Sequence, residues 1–348
     1  MAFILALSAC ASPPPPSAPH HVAGGGFKNL YGSSQTKSFW TFLKMRMTEE
    51  WADHEAQAHE VPRVQADEAL LRSPKGTQLT WLGHSAFLLQ RHGVNLLTDP
   101  VFSERASPVS FAGPKRYTPL PIPLSKLPKL HAVIISHNHY DHLDTETIEA
   151  IDERDQPLWF VPLANKELLT GSGVASGRVI ELDWWQRHEL TLPESSRGSV
   201  KLSFTSTPAH HWSARGLFDR FESLWGSWAV EIDGWRLFFA GDTGFQEPLF
   251  KEIGAREGPF DLALIPIGAY APRSFMREMH VNPEEAVQIH QLVRSARSIG
   301  MHWGTFPLTA EPVIEPQQKL KEAREARGLS AQDFSALALG ETLTLSAP

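Results

Sequence analysis

The chain has 348 residues, 42% of them hydrophobic, and a formal net charge of -7 at pH 7. That length can bury one large α/β core, and the acidic balance without a basic block argues against a nucleic-acid partner. No run of 18 apolar residues occurs, so no stretch reads as a membrane-spanning helix.

In chain order, Met1–Ala9 is a short apolar run closed by small residues before Cys10, the only cysteine. Leu7-Ser8-Ala9-Cys10 resembles a bacterial lipoprotein signal, in which the cysteine is lipidated and becomes the mature N-terminus. It departs from an export signal in one respect: the basic residues expected before the apolar run are absent. Residues 1–10 are therefore expected to be a signal and residues 11–35, opened by Pro13-Pro14-Pro15-Pro16, an extended tether. Residues 36–348 read as a single domain. At its start Trp40, Leu43, Met47 and Trp51 share a helical face, either packed on the domain or forming a lip that touches lipid.

Strands are predicted at 78–82, 86–90, 94–98, 131–136, 157–161, 178–181, 200–206, 227–232, 236–240, 261–266, 297–301 and 341–345. Helices are predicted at 144–153, 164–170, 247–255, 283–294 and 315–326. Periodicity alone gives a mixed α/β layout with no internal repeat.

The densest chemistry lies in Ser136-His137-Asn138-His139-Tyr140-Asp141-His142, directly after the apolar run 132–135. Imidazole and carboxylate together suit zinc and similar ions. Four such ligands exceed what one tetrahedral ion usually takes from one segment, which suggests two ions side by side. Three more strand-like runs end at potential ligands: 202–207 before His210-His211-Trp212, 235–240 before Gly241-Asp242-Thr243-Gly244, and 296–301 before His302-Trp303-Gly304. Rigid scaffolds present site residues on loops in this way.

These motifs resemble the metallo-β-lactamase superfamily. The resemblance implies an α/β (α+β) fold, an αββα sandwich of two mixed β-sheets flanked by helices, with ligands gathered at one edge. It implies two zinc ions, one on His137, His139 and His211, the other on Asp141, His142 and His302, with Asp242 bridging. His210 competes with His211, which is preferred because the pattern puts its ligand directly before Trp.

A hydroxide held between two ions about 3.5–4 Å apart would be the nucleophile. Further stretches, among them Trp81-Leu82-Gly83-His84-Ser85, Leu97-Thr98-Asp99-Pro100, Leu182-Asp183-Trp184-Trp185, Leu224-Trp225-Gly226-Ser227-Trp228 and His280-Val281-Asn282-Pro283-Glu284-Glu285, resemble the N-acylphosphatidylethanolamine-hydrolysing phospholipase D family over residues 75–348.

That family's reaction yields an N-acylethanolamine and phosphatidic acid. Asp141 and His280 become the candidate catalytic groups, His280 contacting phosphate or protonating the leaving group. Asn282 and Pro283 also read as a helix start. Asp99 is expected to orient a ligand imidazole; for His84 a structural role is as plausible as a supporting one.

Phospholipid as substrate, a membrane surface reached through the lipid anchor and a bacterial cell-envelope location follow as expectations, with the cytoplasm the alternative location if the N-terminal signal is not functional and a homodimer left open. A different hydrolase, such as a sugar-phosphate lactonase, is the alternative on the same metals. A lipid-binding lipoprotein without turnover is the non-enzyme alternative.

Overall fold

The structure is a computed structural model and describes residues 18–32, 39–193 and 198–345. The signal at 1–10 and the first part of the tether lie outside the described residues.

Two seven-stranded sheets face each other. The first contains β1 (Thr77–Gly83), β2 (Ala86–Arg91), β3 (Val94–Thr98), β4 (Ala132–Ile134), β5 (Leu158–Pro162) and β6 (Val179–Leu182). The second contains β7 (Arg187–Pro193), β8 (Ser199–Thr207), β9 (Ser227–Ile232), β10 (Trp235–Phe239), β11 (Leu262–Pro266), β12 (Ser298–Met301) and β13 (Phe334–Ser335). The last strand, β14 (Thr342–Leu345), returns to pair antiparallel with β1, so the order of the first sheet is β14-β1-β2-β3-β4-β5-β6. That of the second is β13-β12-β11-β10-β9-β8-β7. Hairpins pair antiparallel and β3 to β6 and β10 to β13 pair parallel, so both sheets are mixed.

The strands alternate in what they bury. Phe87, Leu89, Leu96, Ile134 and Phe160 enter the core shared with the second sheet, where Phe160 stacks on Phe204 at 3.7 Å. Their neighbours Leu88, Leu97, Val133 and Trp159 pack instead with Ile148 and Ile151 of helix Thr145–Asp155. Side chains on successive strand residues point to opposite faces, so a sheet covered on both faces needs near-continuous apolar strands. All seven residues of β1 and all five of β3 are accordingly buried. Helices Glu247–Arg256 and Pro283–Leu292 cover the second sheet through Leu249, Phe250, Ile253, Val287 and Ile289. The predicted sandwich of two mixed sheets flanked by helices is the observed one.

One expectation is corrected, and one that was left open is narrowed. Residues 18–32 do not run as a free tether: His20 and Asn29 are buried and Leu30 packs on the core. The proline run ends at Pro19, and the apolar residues after it have a surface to cover. In helix Phe39–Thr48, Trp40 and Met47 are exposed while Met45 is buried, so the predicted apolar face points outward at these two positions. Edge strand β7 was missed because only His188 among its seven residues is buried, which leaves little hydrophobic signal.

Candidate metal centre

Strands β1, β3, β4, β8, β10 and β12 each end in a loop that carries a candidate residue, and these ends share one edge of the sandwich. The stretch after β4 supplies four residues. Ile135 N still bonds Phe160 O at 2.9 Å; beyond it the chain leaves the sheet, and the turn at 139–142 closes with His142 N on His139 O at 3.0 Å. After β10, Gly241 has φ +58°, and a Cβ there would stand 2.6 Å from Ser136 Cβ. Only glycine lets the Asp242 turn approach the ligand loop so closely.

The side chains meet in two adjoining groups. In one, His137 Nε2 lies 2.8 Å from His139 Nδ1, and His211 Nε2 lies 3.3 Å from the same atom. In the other, Asp141 Oδ2 lies 3.5 Å from His142 Nε2 and 3.4 Å from His302 Nε2. Asp242 touches both: Oδ2 is 3.2 Å from His142 Nε2 and 3.7 Å from His211 Nε2, while Oδ1 is 3.1 Å from His302 Nε2. All seven residues expected as ligands therefore converge, drawn from four separate stretches. His210 does not join them; its backbone N–H is held by Thr243 and its Nε2 is buried elsewhere.

The supporting residues are in place as well. Asp99 accepts from Ser136 N at 2.7 Å and Ser136 Oγ at 2.5 Å, and its Oδ2 lies 2.6 Å from His142 Nδ1. That contact fixes which His142 nitrogen faces the centre. Met279 O does the same for His211 Nδ1 at 3.0 Å. His84 Nε2 contacts Asp141 Oδ2 at 3.0 Å, and its ring lies 4.0 Å from that of His302. His280 stands at the rim, its Nδ1 3.9 Å from Asp242 Oδ2. Asn282 caps the following helix in a capping box with Glu285, and Pro283 occupies the first turn, as read from the sequence.

Three of these residues, His84, Asp99 and His302, hold positive φ values of 53°, 30° and 62°. Left-handed backbone in side-chain-bearing residues costs about 1–3 kcal/mol each and tends to cluster at functional sites.

Charge is distributed unevenly. Burial, then the fields of neighbouring imidazoles, holds His137 well below the usual histidine range. Burial likewise lowers His139 and His211 to about 3 and His280 to about 4. For His302 burial opposes the charged form, but Asp242 and Asp141 outweigh it and raise the group to about 9. His142 is raised well above its usual value in the same way. Burial also favours protonation of Asp141 and Asp242, yet His142 and its neighbours hold both well below the carboxylate range.

The donor set fits divalent metal. Among the described residues, His142 Nε2, His302 Nε2, Asp242 Oδ1 and His280 Nδ1 are buried and crowd together, yet none makes a hydrogen bond of good geometry. Leaving such groups unpaired costs about 1–3 kcal/mol each, more when charged. Coordination to an ion would satisfy the ligand atoms among them, and imidazole with carboxylate is a set that zinc, iron and manganese accept.

Two residues that matter here escaped the sequence reading. Arg215 Nη1 donates to Asn138 O at 3.0 Å and Leu143 O at 2.7 Å, and the guanidinium lies 4.1 Å over the Tyr140 ring. It braces the histidine-rich loop at both ends, and no local pattern announces it. Asn29 holds the backbone of His211; the apolar residues around it, Phe27 and Leu30, were the available signal.

Comparison with known proteins agrees with the geometry. A beta-lactamase superfamily domain matches residues 94–303. The chain is 44% identical over 287 residues to an N-acyl-phosphatidylethanolamine-hydrolyzing phospholipase D of Caenorhabditis elegans, covering 81% of this chain and 79% of that protein. It is 39% identical to the mitochondrial enzyme of that name from Saccharomyces cerevisiae, covering 72% of this chain and 52% of the yeast protein.

Among solved structures, a metallo hydrolase from Ignicoccus hospitalis superposes with a TM-score of 0.55 at 26% identity, covering 78% of this chain and 99% of that one. An isothiocyanate hydrolase from Delia radicum gut bacteria shares the fold, with a TM-score of 0.58 at 19% identity over 78% of this chain and 99% of that one. A metal-dependent hydrolase with this fold, this cluster and these relatives belongs to the metallo-β-lactamase superfamily and, within it, to the N-acylphosphatidylethanolamine-hydrolysing phospholipase D family.

Proposed function

We propose that the chain is a dinuclear zinc phosphodiesterase that hydrolyses N-acylphosphatidylethanolamine-like lipids to N-acylethanolamine and phosphatidic acid. The observation that carries the dinuclear part is the convergence of two histidine-rich groups on one carboxylate, Asp242. The lipid part rests on the 44% identity to a protein named for that reaction. Bound divalent ions would supply a nucleophilic water near neutral pH and offset charge developing on phosphoryl oxygens.

His137, His139 and His211 would hold one ion; Asp141, His142 and His302 the other. The chain's own contribution is to keep these ligands deprotonated or exchangeable and fixed in direction by Asp99, Met279 O and His84. His280, at the rim of the ligand cluster, would contact the phosphate or protonate the leaving group; burial holds its imidazole below the usual histidine range.

A lipid substrate also gives a use to exposed apolar residues. Leu217 and Phe218 are 84% and 92% exposed on the loop that follows His211, next to Arg215. Singly exposed apolar residues are ordinary, but a fully exposed Leu-Phe pair on a loop rooted in the ligand set suits contact with an interface. Anchoring through Cys10 would place this loop near the same surface. The deciding assay is phosphatidic acid release from N-acylated phosphatidylethanolamine vesicles by zinc-loaded protein. A fully metallated enzyme that releases none, but opens a lactone or cleaves another ester, would overturn the lipid assignment.

A further inference from the structure

Residues 18–32 cross the end of the sandwich beside the metal centre and are fastened at several points. His20 Nε2 lies 2.6 Å from Asp183 Oδ1 and His21 Nε2 lies 2.9 Å from Asp183 Oδ2. His20 also stacks on Trp184 at 4.2 Å. Each carboxylate oxygen of Asp183 thus meets one imidazole, a satisfied latch and not an orphaned ligand set. Next, Phe27 N donates to Phe221 O at 2.8 Å. The side-chain amide of Asn29 then pairs with the backbone of one residue on both sides: Nδ2 donates to His211 O at 2.9 Å, and His211 N donates to Oδ1 at 3.1 Å. A Cβ on Gly32 would stand 3.0 Å from His210 Cε1, so the segment remains in contact with the ligand loop beyond Asn29.

His211 is thereby held twice. Met279 O sets the rotation of its ring, and Asn29 sets the position of its backbone. Both Asn29 and His211 are buried, so the amide-backbone pairing is shielded from bulk solvent. We infer that Asn29 is a positioning residue for His211, and that the segment 18–32 is a strap on which one of the two ion sites depends. The inference rests on the metal-centre part of the proposed function and is independent of the lipid substrate.

The two groups of ligands separate the outcomes. Losing Asn29 should loosen the group made by His137, His139 and His211, while the group made by Asp141, His142 and His302 keeps its supports in Asp99 and His84. Removing such outer supports typically costs about 10–100-fold in metal affinity.

The experiment uses full-length Asn29→Ala and Asn29→Asp, loaded with cobalt(II), dialysed against a weak chelator and read by metal content, visible absorption and Tm. Asn29→Ala should retain about one ion where the wild type retains two, with an altered cobalt spectrum and a kcat that recovers at high metal while KM stays constant. Asn29→Asp should fall between, because its carboxylate still accepts from His211 N but cannot donate to His211 O. If Asn29→Ala fails to fold, Asn29→Asp is judged by the same readings. Wild-type ion content, affinity and spectrum in a variant whose Tm alone has dropped would overturn the inference. A wild type that retains no ion would instead sink the metal-centre reading beneath it.

Discussion

At the residue scale, His302 is held in an unusual state. Without ions its neighbours Asp242 and Asp141 stabilise its charged form against burial and raise it to about 9, above an unperturbed value of about 6.5. A raised folded-state value adds stability that is fully present below the unfolded value and is lost as pH rises through the folded one. Protein stripped of metal should therefore lose Tm between about pH 6.5 and pH 9, the window set by His302. Metal-loaded protein should not, because the ion replaces the proton between the imidazole and the carboxylates. Thermal melts of both forms across that range check this. A metal-free protein that gains stability toward pH 9 would contradict the assignment of charge within the cluster.

Elements, not single residues, set the spacing of the two groups. His302 sits one residue past β12, with its backbone in the left-handed region and its N–H on His84 O at 3.1 Å. Gly268, past the end of neighbouring β11, leaves room for it: a Cβ there would lie 2.2 Å from His302 O. Backbone cannot yield as a flexible side chain does, so the collision must move one strand end. Gly268→Ala should lower metal occupancy of the group containing His302 and cut activity about tenfold or more, since small displacements of catalytic geometry can cost about 100-fold. Metal analysis beside circular dichroism would separate this local effect from unfolding. Unchanged occupancy and activity would mean that the two strand ends are less rigid than their packing implies.

For the whole molecule, the open question is how the metal edge meets its substrate. Among the described residues no helix is long and apolar enough to cross a membrane; on the proposed lipid reading, the exposed Leu217 and Phe218 are the residues to test for contact with an interface. Leu217→Ser together with Phe218→Ser should leave metal content unchanged and weaken sedimentation with phospholipid vesicles. Burying a Leu or Phe side chain is worth about 1.5–3 kcal/mol, so losing both should lower the vesicle affinity at least about tenfold. Activity on a detergent-dispersed short-chain substrate should fall much less. Equal vesicle binding by the variant and the parent would remove this loop from the interface.

The sequence by itself determined the buried strands and the main helices, and its motifs, through the family they resemble, named the seven clustered residues; the exposed edge strand β7 and the two-residue β13 were not legible in it. Buried strands must be apolar along their length, and metal ligands must be a few residue types at the ends of such strands, so both leave a local imprint. The 132–135 run before His137 and the Asn282-Pro283 helix start are read correctly for this reason. What only the tertiary structure decided involves residues far apart in the chain: the brace from Arg215 to the histidine-rich loop, the pairing of Asn29 with the His211 backbone, and the folding of residues 18–32 onto the domain. Asn29 and His211 are 182 positions apart, and an amide that pairs with a backbone leaves no periodicity to detect. Position along the chain records local propensity; the contacts that aim a ligand are settled when distant segments pack.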